Sequence, residues 1–228
     1  MTAFAWATAG AALAGQASSG DRAVVVPFPG GGLVALIDGL GHGREACEAA
    51  LAAERVLIAT PYEPVGDLMQ RCHEQLRGTR GAVISMASFD ATHGTMTWLG
   101  VGNVEALLVR AQAGMTIEAV VMRGGTVGFI LPPLSPRTLE IHPGDTLVMA
   151  SDGIRAGFRS EVILARTPQQ IADEVMAHWA KRSDDSCVVV ARYVGDADAT
   201  RISTDSEEGA ALASEPGVGT VGSIRKWS

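Results

Sequence analysis

The most constraining feature of the chain is the position of its aspartates. Leu33 to Ile37 is a continuous apolar run that ends in Asp38-Gly39, and Thr146 to Ser151 runs in the same way into Asp152-Gly153. Asp21 stands directly before the Val-rich run Arg22 to Phe28, and Asp184-Asp185 stands directly before Ser186 to Val194. Runs of this length, rich in Val and Leu and bounded by Gly, Pro and Asp, read as buried strands. A buried strand brings its end to the rim of a sheet, so a fold that collects these strand ends also collects carboxylates.

Clustered carboxylates repel one another and lose hydration, so they take up protons or hold divalent cations. An all-oxygen ligand set favours Mg²⁺, Mn²⁺ or Ca²⁺ over zinc. Glycine after Asp38 and after Asp152 would let a backbone carbonyl approach an ion with no Cβ in the way. A lone Asp-Gly is ordinarily a turn. The combination of two such pairs after apolar runs and an acid pair before another is what points to a metal site.

The remaining pattern gives the architecture. Phe4 to Ala9 reads as a strand, and Pro29-Gly30-Gly31-Gly32 as the connection of a hairpin. A helix starts near Arg44, with Cys47, Ala50, Leu51, Leu57 and Ile58 expected on its buried face. A second follows Pro64, its stripe being Val65, Leu68, Met69, Cys72 and Leu76. Short strand-like runs fill the stretch from Ala82 to Ala150. Thr167, Pro168 and Gln170 form a capping-box pattern for a third helix buried through Ile171, Val175 and Trp179. Segregated strands and helices predict an α+β fold with mostly antiparallel pairing. Residues 1–195 form the expected domain. Residues 196–228 carry 6 acids and 3 bases among Ala, Gly, Ser and Thr, and are expected to be a disordered acidic tail.

Composition excludes some roles. A net charge of -7 disfavours nucleic-acid binding, which needs a positive field. No apolar run reaches the roughly 20 residues that cross a bilayer. Thr2 to Gly20 lacks the basic start of a secretory signal, and 3 cysteines do not suggest a disulfide framework, so a cytoplasmic protein is expected. His73, His93 and His178 have no partners at ligand spacing and read as surface or cap residues. Arg123 to Gly128 reads as a structural turn.

The segments Ser19-Gly20-Asp21, Leu36 to Gly43 with Asp38-Gly39 and Gly41-His42-Gly43, Gly100-Val101-Gly102-Asn103, Gly144 to Gly153, and Asp184-Asp185-Ser186 occur in an order that resembles the metal-dependent serine/threonine phosphatases of type 2C. The likeness is to their bacterial SpoIIE/RsbX branch. It implies two antiparallel β-sheets packed face to face with helices outside, and two Mn²⁺ or Mg²⁺ ions. By resemblance, Asp38 bridges both ions, the Gly39 carbonyl is a ligand of the second, Asp152 and Asp184 are ligands of the first, and Asp21 is an outer-shell acid that acts through water on the second. Asp184 is preferred over Asp185 because the family often has Asn at the second position. The implied reaction is attack of a metal-activated water on phosphoserine or phosphothreonine. The implied substrates are stressosome proteins of the RsbS and RsbR kind or related anti-sigma antagonists. The proton donor stays open between His42 and water. A phosphoprotein-binding module without turnover and a small-molecule phosphohydrolase remain alternatives.

Overall fold

The computed structural model describes residues 3–112, 117–119, 123–162 and 164–195. The expected tail from 196 onward lies outside the described residues. In chain order the elements are β1 (Phe4–Ala11), β2 (Asp21–Phe28), β3 (Gly31–Gly39), α1 (Arg44–Ala59), α2 (Val65–Gln75), β4 (Ala82–Asp90), β5 (Thr95–Val101), β6 (Glu105–Val109), β7 (Ile117–Ala119), β8 (Arg137–Glu140), β9 (Thr146–Ala150), α3 (Pro168–Trp179) and β10 (Ser186–Tyr193).

The strands form two 5-stranded sheets, ordered β2-β3-β4-β5-β8 and β1-β10-β9-β6-β7, and every named pairing is antiparallel. The apolar runs explain why. Successive residues of a strand point to opposite faces, so a strand covered on both sides must be apolar throughout. In β3, Val34 and Leu36 enter the core between the sheets, while Leu33, Ala35 and Ile37 lie under α1 and α2. In β10, Val189 and Ala191 enter the same inter-sheet core, while Val188 and Val190 pack beneath α3. The result is the expected α+β sandwich with helices on the outside.

The helices divide between expectation and correction. In α2, Val65, Leu68, Met69 and Cys72 are buried as the spacing predicts. In α3, Thr167 Oγ1 accepts from the Gln170 N–H and Gln170 Oε1 accepts from the Thr167 N–H, at 3.2 and 2.9 Å. The buried face of α1 differs from the expected one. Ala46, Ala49, Ala50, Ala52, Ala53 and Leu57 are buried, whereas Ile58 is 52% exposed. Small side chains let this helix lie close on the sheet, so alanine is selected there over larger apolar residues. The cysteines at 47, 72 and 187 are free. Among the described residues no helix is long and apolar enough to cross a membrane.

Candidate active site

Antiparallel register brings the acidic strand ends together. Asp21 opens β2 and lies directly opposite Asp38 near the end of β3. In the other sheet Val188 pairs with Ala150, so the residues after β9 and those before β10 reach the same end. A cleft of about 410 Å³ opens there, lined by Asp38, Leu40 and Gly41, by Val83 of β4, by Gly102 and Asn103 after β5, by Gly124 to Thr126, and by Asp152. Asp152 is exposed, Asp38 and Asp184 are half-buried, and Asp21 is buried.

The carboxyl groups of Asp21 and Asp38 are both held well above the ordinary carboxylate range. Burial is the main cause for each. The neighbouring negative charges push both further up, Asp185, Asp152 and Asp184 acting on Asp21, and Asp21, Asp152 and Asp184 on Asp38. Among the described residues, no group of three His, Cys, Asp or Glu side chains converges as a formed metal site does.

Do these residues suit a divalent cation? Asp21 Oδ2 is buried and has no hydrogen-bond partner. A buried carboxylate oxygen left unsatisfied is a strong call for a cation or an ordered water. Together with the oxygen-only donors beside it, this fits Mg²⁺ or Mn²⁺.

The two glycines also answer to a packing demand. A Cβ on Gly39 would stand 2.2 Å from the Ala46 carbonyl oxygen of α1, and one on Gly153 would stand 1.7 Å from the carbonyl oxygen of Asp185. Each glycine lets a neighbouring backbone approach, and so fixes the aspartate before it. The Gly153 carbonyl is already engaged by the Lys181 N–H at 2.7 Å and the Ser186 hydroxyl at 3.0 Å.

Of the predicted residues, Asp21, Asp38, Gly39, Asp152 and Asp184 are gathered at this end of the sandwich. His42 is exposed next to the cleft residue Gly41 and does not itself line the cleft. The acid pair divides its work. Asp185 is 3% exposed and accepts backbone N–H bonds from Leu13 and Gly20, both at 2.7 Å. It ties the β1–β2 connection to β10, and its charge, like that of Asp184, bears on Asp21. Arg22 points away, as alternation requires, and pairs with Glu54 of α1 at 2.5 Å.

Sequence reasoning missed three contributors. Asn103 donates to Asp152 Oδ2 at 3.0 Å, and the Lys181 ammonium donates to the Asp152 carbonyl. Asn103 had a signal, since it follows glycine at a strand end. Lys181 had none. His73, expected at the surface, is 8% exposed, and its Nδ1 accepts from the Gly128 N–H at 3.0 Å. His93 and His178 are exposed as expected.

Comparison with known proteins gives the family and agrees with this fold. The family profile described as Stage II sporulation protein E (SpoIIE) matches residues 29–194. Phosphoserine phosphatase RsbX of Bacillus subtilis (strain 168) is 23% identical over 159 residues, covering 67% of this chain and 76% of the relative. A chain solved in work on the bacterial stressosome as a modular system adapted to control secondary messenger signaling superposes with a TM-score of 0.77 at 28% identity, over 83% of this chain and 99% of that one. RsbX in complex with magnesium superposes with a TM-score of 0.74 at 19% identity, over 85% of this chain and 100% of that one. The chain belongs to the SpoIIE family and has the fold of the type 2C phosphatases.

Proposed function

We propose that the chain is a metal-dependent phosphoserine and phosphothreonine protein phosphatase, RsbX-like, acting in a stress-signalling pathway in the cytoplasm. The observation that carries this reading is the facing pair of buried Asp21 and half-buried Asp38, both destabilised as anions, with Asp152 and Asp184 brought beside them from the second sheet. Asp38 would serve both Mn²⁺ or Mg²⁺ ions, with Asp152 and Asp184 holding one, the Gly39 carbonyl holding the other, and Asp21 acting on that second ion through water. When bound, the ions would supply an activated water and screen the phosphate from the acids.

The protein's own residues do the rest. The β2–β3 register sets the spacing of Asp21 and Asp38. Asn103 orients Asp152 through its hydrogen bond, and Lys181 fixes the Asp152 backbone. Asp185 holds the two sheets together at this end. His42 is exposed beside the cleft residue Gly41, and either it or water would give the leaving oxygen its proton. Residues 1–195 form the catalytic domain. The substrates are phosphorylated proteins of the RsbS and RsbR kind. That assignment draws support from the names of the relatives.

The test is hydrolysis of a phosphoserine protein or peptide by the full chain with Mn²⁺. Activity should vanish with chelator and in Asp38→Asn, and return when Mn²⁺ is restored to the parent protein. Turnover that survives chelation, or that Asp38→Asn leaves intact, rejects the mechanism.

A further inference from the structure

Large apolar side chains that stand well out into water, next to one another and beside a cleft, mark a surface that something covers. Phe129 and Ile130 are 61% and 72% exposed. They sit on a turn that begins at the cleft residue Thr126. The N–H groups of Phe129 and Ile130 donate to the Thr126 carbonyl at 3.0 and 2.9 Å, and the Thr126 N–H donates to the Ile130 carbonyl at 2.9 Å. Val127 and Ala82 exchange backbone hydrogen bonds of 2.8 and 3.0 Å. The Gly128 N–H is held by His73 of α2. The turn is therefore fixed before anything binds, and little ordering entropy remains to oppose contact.

The apolar strip runs into the cleft. A Cβ on Gly81 would lie 2.9 Å from Cδ2 of Phe129, so the ring rests against that glycine. The Gly81 carbonyl accepts the Leu40 N–H at 3.1 Å, and Leu40, 37% exposed, lines the cleft with Asp38. Gly81 is itself buried and joins the two, so that Leu40 at the cleft and the exposed Phe129 and Ile130 stand on either side of it. A small phosphate ester would fill the cleft without reaching the outer part of this strip. A polypeptide whose phosphorylated side chain enters the cleft lays its neighbouring residues across it.

We infer that this strip is a docking ledge for an apolar residue flanking the phosphorylated serine or threonine of a protein substrate. The inference rests on the cleft being the phosphatase site. The test uses the full chain with Mn²⁺ and a set of phosphoserine peptides in a serine-glycine background. A single leucine is moved from three residues before the phosphoserine to three residues after it, and para-nitrophenyl phosphate serves as the companion substrate.

The parent chain should favour one leucine position by about tenfold in kcat/KM, what partial burial of one such side chain supplies. The double variant Phe129→Ser, Ile130→Ser should lose that preference while keeping para-nitrophenyl phosphate turnover and its melting profile. Phe129→Leu should retain it. Equal turnover of all peptides by a parent chain active on para-nitrophenyl phosphate overturns the ledge alone, as does a preference that the double variant keeps. Loss of the exposed pair that instead dissolves a dimer, with peptide selectivity untouched, assigns the strip to self-association and also overturns the inference. A parent chain with no chelator-sensitive turnover of para-nitrophenyl phosphate removes the phosphatase reading, and the ledge with it.

Discussion

Asp21 and Asp38 are the residues at which fold and chemistry conflict most directly. Their register sets two acids against each other in a buried place, and both are held protonated well into the pH range where free carboxylates are charged. The folded chain keeps these protons while the unfolded chain releases them. Stability without a cation should therefore fall as pH rises from about 5 to about 8. Saturating Mn²⁺ should flatten or reverse that slope, because ligands bind as anions and the ion binds only the folded form. Melting temperature followed against pH, with chelator and with Mn²⁺, checks this. A rise with pH in the chelated protein would contradict it. His42 gives a second test at this scale. If it protonates the leaving oxygen, His42→Ala should slow phosphoserine hydrolysis by about 100-fold. The nitrophenol ester, whose leaving group needs no proton, should be far less affected. Equal losses on both substrates would remove His42 from the proton path.

Among the elements, α1 and its contact with Gly39 determine how Asp38 is held. A methyl group at Gly39 meets the Ala46 carbonyl oxygen at 2.2 Å, so either the helix or the strand end must move. Gly39→Ala should cost about 1–3 kcal/mol of stability and remove most activity. Gly66 of α2 is the contrasting case. Its added Cβ would meet only Pro136 Cγ at 3.7 Å, so Gly66→Ala should stabilise by about 0.4–1 kcal/mol and leave turnover intact. Denaturant midpoints and turnover of the two variants measure both signs. The same pair of elements marks what the sequence could reveal. The i, i+3, i+4, i+7 stripe of α2 was legible because large apolar side chains mark the face that packs. The face of α1 was misread because alanine carries no strong polarity, and its burial depends on how closely a helix may approach. The strand-end aspartates were legible as a group, since each follows or precedes an apolar run. That Asp185 accepts from backbone donors at Leu13 and Gly20, far away in the chain, leaves no mark in the sequence around it. Likewise nothing near His73 announces that a loop more than fifty residues later donates to it.

For the whole molecule, the last strand ends at Tyr193 and the family match at 194. A chain ending after residue 195 should keep the melting temperature and Mn²⁺-dependent activity of the full chain. A drop in either would make the remaining 33 residues part of the domain. The sheet order has one more consequence. In the first sheet β2, β3, β4 and β5 are neighbours both in sequence and in space, so their pairing needs only local chain closure. In the second, among the described residues, β1 pairs only with β10, the last of the named strands. On the ribosome the uncharged stretch Phe4–Ala11 must therefore wait, unpaired, until almost the entire domain has been translated. The bonds from Asp185 to Leu13 and Gly20 close at that same late moment. A nascent or prematurely terminated chain would thus be catalytically silent, and would display a sticky N-terminal segment for chaperones to shield.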